Sequence, residues 1–160
     1  MKLREEKGWS YGAHSRHSGG QGTRMFIAGG SVQSDKTAES MIETDKLLKG
    51  VTGDAPVSAQ ELASAKESMT RRLSGEWASE SSITSYLVDQ AIDRLPADYY
   101  QTYAVRIEGE SLAAVNSAGR EVADQTAVWI VVGDRSKIES KIRATGLGEV
   151  IVVDADGVKL

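Results

Sequence analysis

The chain has no cysteine, only two prolines and a single phenylalanine among its 160 residues. Without thiols there is no disulfide framework, no thiolate metal site and no cysteine nucleophile, and the redox compartment is left open. Long hydrophobic runs are missing as well: none approaches the ~20 residues that span a bilayer. The first residues, Met1-Lys2-Leu3-Arg4-Glu5-Glu6-Lys7, are charged where a signal peptide turns apolar. A soluble protein of the bacterial periplasm or cytoplasm, without a membrane partner, is therefore expected. A charge of one sign is absent too. The net charge of -4 arises from 23 acidic and 19 basic residues scattered along the chain. No basic stripe is available to neutralise phosphates, so nucleic acid is not an expected partner.

What is present suits one globular domain over residues 1–160, with 40% hydrophobic residues to build a core. Residues 2 to 7 read as the last turns of a helix, with Gly8 at the left-handed C-cap and Lys7 complementing the carbonyl end. Trp9–Arg16 and Thr23–Val32 interleave apolar with small or polar residues, and Ser18-Gly19-Gly20-Gln21-Gly22 between them supplies turn chemistry. This pattern predicts a β-hairpin. A helix is expected from Ser34 or Asp35 to Gly50. Ser58 and Glu61 then form a capping box for a helix carrying Leu62, Ala65, Met69 and Leu73, which Gly75 interrupts. A further helix through Ile83, Leu87 and Ala91 should stop at Pro96. Short helices are expected around Tyr99–Tyr103 and after Ser111.

Beyond that helical block, Thr126–Val132 is β-branched and aromatic enough for a buried strand. A helix from Ser136 to about Ala144 and a last strand, Val150–Val153, follow. Both ends of the chain are thus expected to feed one sheet. The predicted class is α+β, a mostly antiparallel sheet with helices packed on one face.

Leu3-Arg4-Glu5-Glu6-Lys7-Gly8-Trp9-Ser10-Tyr11-Gly12-Ala13 resembles the helix-to-strand junction of the C-terminal domain of M16 (insulinase/pitrilysin-type) metallopeptidases, in which an Arg and a Tyr seven residues apart flank a Lys-Gly turn. Further similarities follow in the family's order: Glu67-Ser68-Met69, then Leu95-Pro96-Ala97-Asp98-Tyr99-Tyr100, Ile107, the capped helix from Ser111, and Val131-Val132-Gly133-Asp134. Two departures accompany them. Ala114 stands where the family often has an acidic residue, and the family's first strand and most of its first helix would lie upstream of Met1, as in a truncated fragment.

Hydrolysis in that family needs an inverted motif, His-x-x-Glu-His, to hold zinc and activate its water. The chain lacks it. Its only histidines, His14 and His17, fall three apart on a predicted strand and so face opposite sides, without a nearby carboxylate. Two solvent-facing polar residues near a hairpin tip describe them better than a metal site. Taken alone, Arg4 reads as a surface arginine and Tyr11 as an aromatic on the hairpin face.

The resemblance implies instead that Arg4 grips substrate backbone carbonyls and that the Tyr11 hydroxyl stabilises the tetrahedral oxyanion. Both would act in the active site of a homologous zinc-bearing partner domain, with a peptide as substrate. On this reading the chain holds no metal or cofactor of its own and the zinc belongs to the partner. A purely architectural subunit of the same fold is the rival. An uncovered sheet edge would also favour self-association.

Overall fold

The computed structural model describes residues 2–18, 22, 24–77, 79–123 and 127–160. Its element order is a π-helical turn (Lys2–Glu6), β1 (Ser10–His17), β2 (Phe26–Val32), a 3-10 turn (Ser34–Lys36), α1 (Thr37–Thr52), α2 (Ala59–Glu76), α3 (Glu80–Ile92), α4 (Tyr99–Gly109), α5 (Leu112–Ala123) and α6 (Arg135–Ala144). Helices with a two-stranded antiparallel sheet make the α+β class that the sequence predicts. The chain divides into two compact units. One comprises residues 1–16, 27–49 and 126–160, the other residues 17–26 and 50–125.

In the first unit the buried apolar side chains are Leu3, Ala38, Met41 and Ile138. Ile138 packs so closely on Gly133 that an added Cβ there would lie 3.0 Å from its Cδ1. Asp134 starts α6 by accepting the Ser136 N–H at 3.1 Å, and that hydroxyl holds its carboxyl below the usual carboxylate range. On α6, Glu139 lies between Arg135 and Arg143, which lower its pKa in that order. Arg143 in turn donates to the Val150 carbonyl at 3.1 Å and so ties the C-terminal segment to the helix.

The second unit is helical. Glu61 accepts the Ser58 N–H at 2.9 Å while Ser58 Oγ accepts the Glu61 N–H at 3.2 Å, the reciprocal cap expected from Ser-x-x-Glu. The Asn116 side-chain amide clamps Val57 at two points, accepting its N–H at 2.8 Å and donating to its carbonyl at 3.1 Å. From α2, Lys66 reaches the Glu108 carbonyl at 2.7 Å and satisfies the C-terminal end of α4. Trp77 stacks on Tyr86 with ring centroids 5.5 Å apart, and Tyr100 meets both edge-on. Burial and then Asp89 raise the Tyr100 pKa.

Some sequence expectations are corrected. The helix does not stop at Gly50. Its carbonyl accepts the Gly53 and Ala55 N–H groups, so α1 continues to Thr52. Gly75 does not interrupt α2, which reaches Glu76. The largest correction concerns the C-terminal strands. Thr126 lies outside the described residues, and 127–132 is not a strand: its exposure alternates, with Val128, Ile130 and Val132 at 86%, 87% and 94%. Val150–Val153 does not join the sheet either. Val153 instead bridges Lys159 across a turn in which Gly157 takes φ 81°. A strand exists only through its partner's hydrogen bonds, and β-branched composition alone cannot supply them. Most of the turn expected between the hairpin strands, residues 19–21, also lies outside the described residues.

Two substitutions test these local devices. Ser58→Ala should cost about 1 kcal/mol in urea unfolding by removing the α2 cap. The Ser58 N–H and hydroxyl lower the Glu61 pKa, so the cap contributes fully above the unfolded value of about 4.3 and is lost as pH falls through the depressed one. The deficit of Ser58→Ala should accordingly shrink in acid. Arg94 takes φ 52° just past α3, where Leu95 N–H bonds the Gln90 carbonyl at 2.9 Å. Arg94→Gly should therefore raise stability by up to about 1 kcal/mol.

Candidate functional site at the helix-to-strand junction

Leu3 to Gly12 turn from a helical end into β1 within a few residues. Gly8, at φ 64°, supplies the left-handed conformation that lets the chain reverse. Its N–H bonds the Arg4 carbonyl at 3.1 Å and the Trp9 N–H bonds the Leu3 carbonyl at 2.9 Å, so two carbonyls of the helical turn are satisfied. The Gln33 backbone then donates to the Trp9 carbonyl at 2.9 Å and its side chain to the Gly8 carbonyl at 3.2 Å. Lys7 and Lys36 place their ammonium groups 5.4 and 5.9 Å from the Trp9 ring centroid.

Ser10 is the pin of the hairpin. Its buried hydroxyl lies 2.7 Å from the Ser31 carbonyl on β2 and 2.8 Å from the Gly12 carbonyl, and it accepts the Gly12 N–H at 3.1 Å. Because side chains alternate along a strand, an inward Ser10 sets Tyr11 outward, and Tyr11 is 97% exposed. Glycine is also required on β2: a Cβ at Gly30 would collide with the Gly12 carbonyl oxygen, whereas at Gly29 it would meet open space.

Arg4 and Tyr11 thus lie on the two sides of one hydrogen-bonded turn, Arg4 four residues before Gly8 and Tyr11 three after. Both are exposed. Among the described residues neither the guanidinium nor the phenol has a hydrogen-bond or ion-pair partner, and no hydrogen bond joins them to each other. The backbone around them is held while their functional groups are left to meet something else.

His14 and His17 are exposed on β1, and the His17 ring lies 5.3 Å from that of Phe26. Among the described residues no three His, Cys, Asp or Glu side chains gather as metal ligands would. A shallow recess of about 530 Å³ at the end of α3 is lined by Leu87, Gln90, Ala91, Arg94, Leu95 and Ala97. With one cation and no carboxylate or imidazole, that lining offers no acid–base chemistry. Sequence reasoning missed Gln33 and Ser10 as the residues that hold the junction. A glutamine directly after a strand and a serine directly before a tyrosine carry no signal of their own.

The junction and the hairpin define an α+β protein whose exposed basic and phenolic groups flank a glycine turn. Residues 1–69 match the model of the family described as Peptidase M16 inactive domain, a stretch containing the turn, the hairpin, α1 and the start of α2. Over that stretch, which is less than half of the chain, the sequence is similar to the M16 inactive domain, as the resemblance implies. No curated protein and no solved structure matches the chain. No helix among the described residues is long and apolar enough to cross a membrane.

Two glycine substitutions test the junction. Gly8→Ala should destabilise the protein by about 1–2 kcal/mol through the left-handed backbone it must keep. Gly30→Ala should disrupt β1–β2 pairing, while Gly29→Ala leaves it intact. Amide hydrogen exchange at Gln33, whose N–H bonds Trp9, reads both effects.

Proposed function

We propose that this chain is the non-zinc, substrate-binding half of an M16-type metallopeptidase and completes an active site whose metal is held by a homologous domain. The carrying observation is that Arg4 and Tyr11, both exposed and without a partner among the described residues, lie on a hydrogen-bonded turn inside the stretch that matches the inactive M16 domain. The zinc-bearing domain would supply His-x-x-Glu-His, with the metal as Lewis acid and source of the attacking hydroxide. This chain's contribution is recognition and charge stabilisation. Arg4 presents a permanently charged fork of donors to peptide carbonyls, and it needs no proton transfer to act. The Tyr11 phenol donates one hydrogen bond whose value grows as the carbonyl oxygen becomes an oxyanion in a cleft closed to water.

Neither group cleaves a peptide by itself, so the isolated chain is expected to be inert toward peptides. Their present exposure suits the role: a donor already bonded within its own domain would have to break that bond before serving another. The rigid turn keeps the pair poised, so little ordering entropy is lost when the domains meet.

Reconstitution with a His-x-x-Glu-His domain tests the assignment. Tyr11→Phe should lower kcat about 10²- to 10³-fold with little change in KM, the usual effect of losing one oxyanion donor. Arg4→Ala should raise KM as well, and Arg4→Lys should restore only part of the loss because it lacks the fork. If both variants support full reconstituted activity, the chain is an architectural subunit instead.

A further inference from the structure

Glycine permits the left-handed turn at residue 8 but does not select it. A glycine populates positive and negative φ about equally, so Gly8 alone would leave the helical turn free to swing against β1. Another group has to hold the chain at φ 64°. In a regular antiparallel ladder one residue meets one residue opposite. Gln33 meets two: its backbone N–H bonds the Trp9 carbonyl at 2.9 Å, and its side-chain amide donates to the Gly8 carbonyl at 3.2 Å. The Gly8–Trp9 peptide is thus held on both sides by a single residue.

A clamp works only if it is itself fixed. The Gln33 carbonyl accepts the Lys36 N–H at 2.9 Å, and the Thr37 hydroxyl donates to the Ser34 carbonyl at 2.9 Å. Thr37 opens α1 and is buried, as are Ala38 and Met41 after it, so the clamp is seated on the packed start of a helix. On the other side of the turn, the Ser10 hydroxyl lies 2.7 Å from the Ser31 carbonyl and refers the strand that carries Tyr11 to β2. Any looseness at Gly8 therefore appears as movement of Arg4 against Tyr11. Arg4 stands one helical turn before Gly8, so over an arm of about 6 Å a swing of about 10° displaces it by roughly 1 Å. A displacement of that size can cost on the order of 10²-fold in rate.

We propose that Gln33 is the positioning residue of the site: its side-chain amide, by holding the Gly8 carbonyl, sets where Arg4 stands relative to Tyr11. The assignment rests on the reading of Arg4 as the group that grips substrate. Replacing Gln33 removes the side-chain bond and keeps the backbone bond to Trp9, so the turn is loosened and the hairpin stays paired.

Two measurements test it. In the free chain, hydrogen exchange at the Gly8 and Trp9 amides, which bond the Arg4 and Leu3 carbonyls, reports the turn. Gln33→Ala should speed both about two- to tenfold, the span of one hydrogen bond, and leave the Glu61 amide in the α2 cap unchanged. Reconstituted at saturation with a His-x-x-Glu-His domain, Gln33→Ala should raise KM and lower kcat/KM about ten- to a hundredfold, whereas mere loss of folded chain lowers kcat and leaves KM alone. With Arg4→Ala already present there is no guanidinium left to position, and Gln33→Ala should cost less than about threefold more. Gln33→Glu keeps the side-chain length but sets an acceptor against the Gly8 carbonyl; it should reproduce these effects, and it serves where Gln33→Ala fails to fold. Parental exchange at Gly8 and Trp9, a fall in kcat at unchanged KM, or an undiminished effect beside Arg4→Ala overturns the assignment and leaves the reading of Arg4 standing. Parental kcat/KM in Arg4→Ala overturns that reading and the assignment with it.

Discussion

Everything chemically pointed in this chain depends on one glycine in a left-handed conformation. Gly8 turns the helical end back so that the carbonyls of Leu3 and Arg4 are met by the N–H groups of Trp9 and Gly8, and the strand that follows leaves in a fixed direction. Gln33 then closes the other side by bonding both Gly8 and Trp9. The guanidinium of Arg4 and the phenol of Tyr11, which have no partner among the described residues, are thereby mounted on a backbone held by these hydrogen bonds. Rigid support under free donors is the condition that electrostatic catalysis requires, because a donor that must reorganise gives back part of what it contributes.

On the proposed reading, a domain in which no metal-ligand cluster is found among the described residues would still contribute to the chemistry. Zinc hydrolysis divides into activating water and stabilising the charge that water creates, and the two tasks need not come from one polypeptide. The match to an inactive M16 domain over residues 1–69 falls on the part of the chain where the second task would be performed.

How much of this could be read from the sequence follows the range of the interactions. The Ser58–Glu61 box, the Gly8 cap, the hairpin and the stop before Pro96 depend on groups a few residues apart, and each stands where its residues place it. Strand pairing at the C-terminal end was not legible. Thr126–Val132 has the composition of a buried strand, yet burial and pairing are properties of what lies beside it, and among the described residues no strand pairs with it. The Asn116 clamp spans 59 residues and left no trace in local pattern. The roles proposed for Arg4 and Tyr11 rest on resemblance, since spacing alone does not distinguish a catalytic arginine from a solvated one.

The placement of the three tryptophans has a practical consequence. Trp9 lies at the glycine turn beneath two ammonium groups, Trp77 is stacked within a nest of tyrosines, and Trp129 lies in the uncharged run near the C-terminus. Each of these three places thus carries one indole in a distinct setting. Emission from Trp77 should be fed by excitation transfer from Tyr86 and Tyr100, while that of Trp9 should be sensitive to the nearby cations. The protein is in effect pre-labelled with three reporters, and chains that keep one indole at a time would follow the turn, the helical unit and the apolar run separately.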